Sequence, residues 1–147
     1  MRSTVIRVIG SLILVTLVSQ GLWALFRILG ITLFADSRYW CTWGPVANGL
    51  TMGVPSSEFL YWSAGISLVT SLIFILIFRA IRKGLSGGAF KKGLKFGGIT
   101  FFAGSLPMLL MGGIMIYLSP ALIISGIAAV LLVTLINGII VAALNRQ

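Results

Sequence analysis

Residues 96–145 read FGGITFFAGSLPMLLMGGIMIYLSPALIISGIAAVLLVTLINGIIVAALN, fifty positions without one charged side chain. A bilayer core about 30 Å thick takes about 20 residues of helix. The run is therefore too long for one crossing and long enough for two. Ser119-Pro120 divides it. Proline fits the first turn of a helix, where its missing N–H costs nothing, and serine is a good N-cap. The pattern predicts one helix over about 96–118 and another over about 120–144. The turn between them is so short that they must be antiparallel neighbours.

Two further apolar runs lie upstream. Residues 59–78 stand between Glu58 and Arg79, and residues 8–26 stand between Arg7 and Arg27. They predict helices over about 59–80 and 8–34. The expected architecture is all-α: a polytopic membrane protein, residues 1–147 forming a single four-transmembrane-helix bundle. An outward loop is expected at 35–58 and a basic cytoplasmic loop at 79–95. Arg2 and Arg7 followed by an apolar run also suit a signal peptide. The run is long for that purpose and no clear small-residue cleavage site follows, so it reads as a membrane anchor.

Composition agrees. Hydrophobic residues make up 59% of the 147-residue chain and charged residues 9%, whereas a soluble domain carries about a quarter charged. Such a chain cannot cover a water-facing surface, and it is too apolar to remain disordered. It has no His and one Cys. That excludes zinc fingers, His-ligated haem, iron–sulfur clusters and His-based catalysis. Asp36 and Glu58 are its only acids, both near the expected outer edge, and they make no convincing catalytic pair. The chain is not expected to be an enzyme, nor to hold a metal or other cofactor.

Eleven Lys or Arg set the expected orientation. Cations flanking membrane spans are retained on the cytoplasmic side. Arg2 and Arg7, the 79–95 segment and Arg146 all mark the same side, so both termini are expected in the cytoplasm. Tyr39, Trp40, Trp43, Tyr61 and Trp62 cluster toward the other side, as an interfacial aromatic belt does. Arg27, near the outer end of the first helix, reads as snorkelling to headgroups or as an ion pair with Glu58. Cys41 has no partner for an intramolecular disulfide and could form an intermolecular one.

The third helix is rich in glycine and has Pro107 at its middle. Pro107 leaves the carbonyl of Ala103 without its usual donor, so a kink or hinge is expected near 103–107. Small residues let membrane helices approach, so Gly104 and Ser125 are expected to pack the third and fourth helices into the tightest pair. On a linear depth scale Thr16, Ser71, Ser105 and Thr134 share one layer. They would line a path, join helices, or bond back to their own helices. The amides of Gln20 and Asn137 fall at different depths and are not expected to pair. Met108, Met111 and Met115 recur at helical spacing. Thioethers bind Cu(I), but methionine is also an ordinary apolar filler.

Arg79, Arg82, Lys83, Lys91, Lys92 and Lys95 crowd the second loop without an acid among them. They enforce topology, and they are the candidate ligands for anionic phospholipid. Nucleic acid is not an expected partner, because a short basic loop offers charge without a reading surface.

The segment Trp40-Cys41-Thr42-Trp43-Gly44-Pro45, the basic loop running into Gly93-Leu94-Lys95-Phe96-Gly97, and the proline inside the third helix resemble features of the uncharacterised small four-helix proteins of bacterial inner membranes. That resemblance implies fold and a multi-pass location in the cell inner membrane, and no activity. Three functions fit the sequence. The first is a non-catalytic accessory or assembly subunit of a membrane complex, the second an oligomeric small transporter or channel, the third a lipid-handling protein or membrane enzyme. Expected partners are the lipid bilayer, anionic phospholipids, and a second copy or a larger membrane-protein complex.

Overall fold

The computed structural model describes residues 2–34, 57–115 and 120–145, with side chains in 5–26, 61–113, 120–121 and 123–145. Among the described residues every regular element is helical. Helix α1 spans Arg2–Phe34 and α2 spans Ser57–Ile81. Helix α3 is a continuous rod in three stretches, Ala89–Thr100, the π-helical Phe101–Ser105 and Leu106–Met115. Helix α4 spans Pro120–Leu144 and begins at the proline that divides the long apolar run. Four helices are long and apolar enough to cross a membrane, their apolar windows being Val5–Phe26, Tyr61–Ile81, Ala89–Gly113 and Ile123–Leu144. The chain is read as a multi-pass membrane protein on that basis.

The register between helices is antiparallel throughout. Asn145, just past the end of α4, reaches Ser11 of α1, and Asn137 reaches Ser19. Eight residues forward on one helix are eight back on the other, a rise of about 12 Å. Thr16 and Gln20 of α1 meet Ser71 and Ser63 of α2 in the same opposed sense. Gly93 of α3 lies against Ile139 of α4, and Gly113 against Ile123. The helices therefore run up, down, up and down.

Helices α3 and α4 make the closest approach. A methyl group on Gly93 would stand 2.5 Å from the Ile139 Cα, and one on Gly97 2.6 Å from the Thr134 carbonyl oxygen. From the other side, a methyl on Gly138 would strike the Gly93 carbonyl oxygen. The two backbones touch there because three glycines remove the side chains between them, which is how membrane helices gain packing without a hydrophobic driving force. Gly104, expected to serve this role, does not. A methyl there would meet nothing within 4 Å, because the residue lies on the open side of the rod. Ser125 is half-buried on α4.

Just before Pro107 the helix has a widened turn. The Leu106 N–H bonds back to the Phe101 carbonyl, five residues earlier. Pro107 has no N–H to give to Ala103. The backbone meets the missing donor by widening just before the proline.

The main cluster of the described core lies toward one end, with Phe101, Ala129 and Val133 buried farther along α3 and α4. Val15, Ile75, Phe78, Phe96, Val141 and Ala142 are buried together, one or two from each helix. The Phe96 ring sits with its centroid 4.5 Å from Phe74 and 5.2 Å from Phe78, tilted or edge-on in both contacts. This aromatic group joins α3 to α2.

Candidate functional site

The end of the bundle that holds the core also holds the cations. The α2–α3 connection is shorter than the expected 79–95 loop: α2 continues to Ile81 and α3 begins at Ala89. Lys91, Lys92 and Lys95 thus stand on the first two turns of α3 rather than on a loop. Lysines end an apolar window, but Ala, Leu and Lys are good helix formers, so the helix starts before the apolar run does.

The turn itself is closely built. The Gly84 N–H donates to the Ile81 carbonyl at 2.9 Å, and the Leu85 N–H to the Arg82 carbonyl at 3.3 Å. Gly87 adopts φ +113°, a conformation other residues rarely take. The Lys91 stem packs over it. Lys95 Nζ donates to Ser86 Oγ at 2.8 Å and to the Ser86 carbonyl at 3.2 Å. Arg82 Nη1 donates to the Asn145 carbonyl at 3.3 Å, at the C-terminal end of α4. A cation there also complements the helix dipole. The Lys92 N–H donates to the Gly88 carbonyl at 2.9 Å, but the side chains of Lys83, Lys91 and Lys92 make no hydrogen bond or ion pair with another described residue. Lys83, Lys91 and their neighbour Phe90 are exposed, and Arg79 and Lys92 are half-buried. The six cations named from the sequence are therefore of two kinds: Arg82 and Lys95 hold the turn, and the side chains of the other four bond no described residue.

From this end a polar seam runs along α1, with Ser11 and Ser19 turned to α4 and Thr16 and Gln20 to α2. Ser11 Oγ donates to the Arg7 carbonyl at 2.7 Å and accepts from Asn145 Nδ2 at 3.0 Å, so a fully buried hydroxyl is satisfied on both counts. Farther along, Thr16 Oγ1 donates to Ser71 Oγ at 3.2 Å, both side chains being buried. Asn137 Nδ2 donates to Ser19 Oγ at 2.8 Å, while the Asn137 amide oxygen is buried without a partner among the described residues. Gln20 and Ser63 close the seam with bonds of 3.1–3.2 Å from Gln20 Nε2 to the Ser63 carbonyl and hydroxyl.

The expected layer of four hydroxyls is only half present. Thr16 and Ser71 meet. Thr134 instead bonds its own helix, at 2.9 Å to the Val130 carbonyl and 3.0 Å to that of Leu131. Ser105 is half-buried within the π-helical stretch. Gln20 and Asn137 do not pair, as depth suggested, yet Asn137 reaches Ser19, the residue beside Gln20. The depth scale set all helix midpoints level, and α4 is displaced along α1 relative to that assumption. Met108 and Met111 are exposed on the open side of α3. The side chains of Arg27, Glu58 and Met115 lie outside the described side chains, and Cys41 and the 40–45 segment lie outside the described residues.

Ser11, Ser19, Ser86 and Asn145 were not singled out by the sequence. A signal existed for the first two: Ser11, Val15 and Ser19 recur every four residues on α1, one face of a helix. No family model, no curated protein and no solved structure matches the chain.

Proposed function

We propose that the protein is a non-catalytic accessory or assembly subunit of a membrane complex, multi-pass in a bacterial inner membrane, with its termini and basic turn in the cytoplasm. The observation that carries the reading is unequal packing along the bundle. At the basic end each helix contributes buried residues. At the other end, residues 61–70 of α2 include no buried residue at all. On α3, Met108 is 79% exposed and Met111 64%. Lipid chains cover such surfaces, but membrane helices gain stability from close packing with one another. A partner helix, or a second copy of this chain, laid along the open half would supply the packing that α2 lacks there. The orientation rests on the cations gathered at the closed end, which the positive-inside tendency holds in the cytoplasm.

Purification of the tagged full chain in a gentle detergent tests this role. Co-purification of a larger membrane protein at fixed stoichiometry is the expected outcome. A chain that runs alone and monodisperse, with no partner after mild cross-linking in cells, contradicts it.

One observation favours a second reading, an oligomeric transporter or channel. The Asn137 amide oxygen lies buried without a partner among the described residues, and acceptors of this kind line paths for water or ions. Solute flux through liposomes containing only this chain would support that reading over the accessory role.

A further inference from the structure

We infer that the α2–α3 turn is a site for the phosphate of an anionic lipid, with Lys83, Lys91 and Lys92 as its ligands and Arg82 and Lys95 as the residues that position it. The inference rests on the cytoplasmic orientation proposed above. Arg82 and Lys95 are already bonded within the protein, to the Asn145 carbonyl and to Ser86. Those bonds tie the turn to the end of α4 and to the second turn of α3. They present the other lysines from a fixed frame rather than a loose tether. The side chains of Lys83, Lys91 and Lys92 have no hydrogen bond or ion pair with another described residue. With no acid among residues 79–95, like charges repel there until an anion is bound.

Location selects the anion. The charge-free part of α3 starts only after Lys95, so Lys91 and Lys92 stand on the same helix about one turn outside it, where lipid phosphates lie. Phe90, 60% exposed in the same helical turn, offers a ring to the boundary between headgroups and chains. A soluble phosphate has no use for that ring.

The test uses the purified full chain in mild detergent, offered phosphatidylglycerol and phosphatidylethanolamine together, with retained lipid counted by native mass spectrometry. Wild type is expected to retain phosphatidylglycerol preferentially. Lys91→Gln/Lys92→Gln keeps four cations on the turn for insertion, and each lysine lost should lower retention about fivefold. Lys95→Gln removes the same charge from a residue already bonded to Ser86 and should lower it less than twofold. Excess inorganic phosphate should leave the lipid in place. Equal loss in Lys95→Gln and in a single Lys91→Gln would show that retention follows net charge alone and overturn the assignment. Full retention in the double variant, or displacement by inorganic phosphate, would overturn it too. Co-purification with a partner is read separately, so the lipid site and the accessory role can fail independently.

Discussion

Gly93, Gly97 and Gly138 show what a single hydrogen in place of a methyl group does in a membrane bundle. A methyl at Gly97 would stand 2.6 Å from a backbone oxygen of α4, and backbone cannot step aside as the tip of a side chain can. Gly97→Ala and Gly138→Ala are each expected to destabilise by about 1–3 kcal/mol through overpacking. Gly104→Ala, with open space around it, should be neutral or stabilise by up to about 1 kcal/mol, because alanine is the better helix former. Unfolding of the three variants in mixed detergent, read by circular dichroism, checks the contrast. Equal stability of Gly97→Ala and Gly104→Ala would refute the crossing. Asn137 poses the converse problem, since its Nδ2 has a partner and its oxygen has none among the described residues. Ser19→Ala would orphan the whole amide, at about 1–3 kcal/mol. Adding Asn137→Leu removes the orphan with its partner and should recover most of the loss, as the same unfolding assay would report.

At the scale of the helix, the π-helical stretch and the proline after it form one unit. Leu106 donates to Phe101, and position 107 has no donor at all. Pro107→Ala restores an N–H within reach of the Ala103 carbonyl. The expected result is a regular α-helix through 101–107 and slower amide exchange across it, measured in detergent by hydrogen–deuterium exchange. Unchanged exchange at Ala103 to Leu106 would mean that the widened turn is set by packing instead. The existence of the helices was legible because charge marks where an apolar run ends, and Pro120 marked the start of α4 correctly. The start of α3 was not legible from charge: lysines read as loop in a hydropathy window yet are compatible with helix, so Lys91, Lys92 and Lys95 were assigned to a loop they do not occupy. The closest helix crossing was legible only in part. The Gly93–Gly97 spacing is visible on one helix, but nothing in the sequence says that Gly138 faces it. Which hydroxyls meet was less legible still. It depends on how far α4 slides along α1, a quantity fixed by packing and absent from composition.

Among the described residues of the whole molecule, all four helices pack together at the basic end, and residues 61–70 of α2 include none that is buried. The basic end gathers the buried phenylalanines, the polar bonds of Ser11, Asn145 and Arg82, and the basic turn. Its orientation across the membrane decides whether the lysines meet anionic lipid and cytoplasmic partners, so every functional proposal depends on it. Gly88 is suited to report it: its φ of −69° suits any residue, and a side chain there meets nothing within 4 Å. The direct measurement is labelling of intact spheroplasts with a thiol reagent that cannot cross membranes. Native Cys41, between α1 and α2, is expected to react at once. Gly88→Cys in a Cys41→Ser background is expected to stay unlabelled until lysis and to react fully afterwards. Labelling of the Gly88→Cys chain before lysis, with Cys41 protected, would invert the molecule and contradict the account.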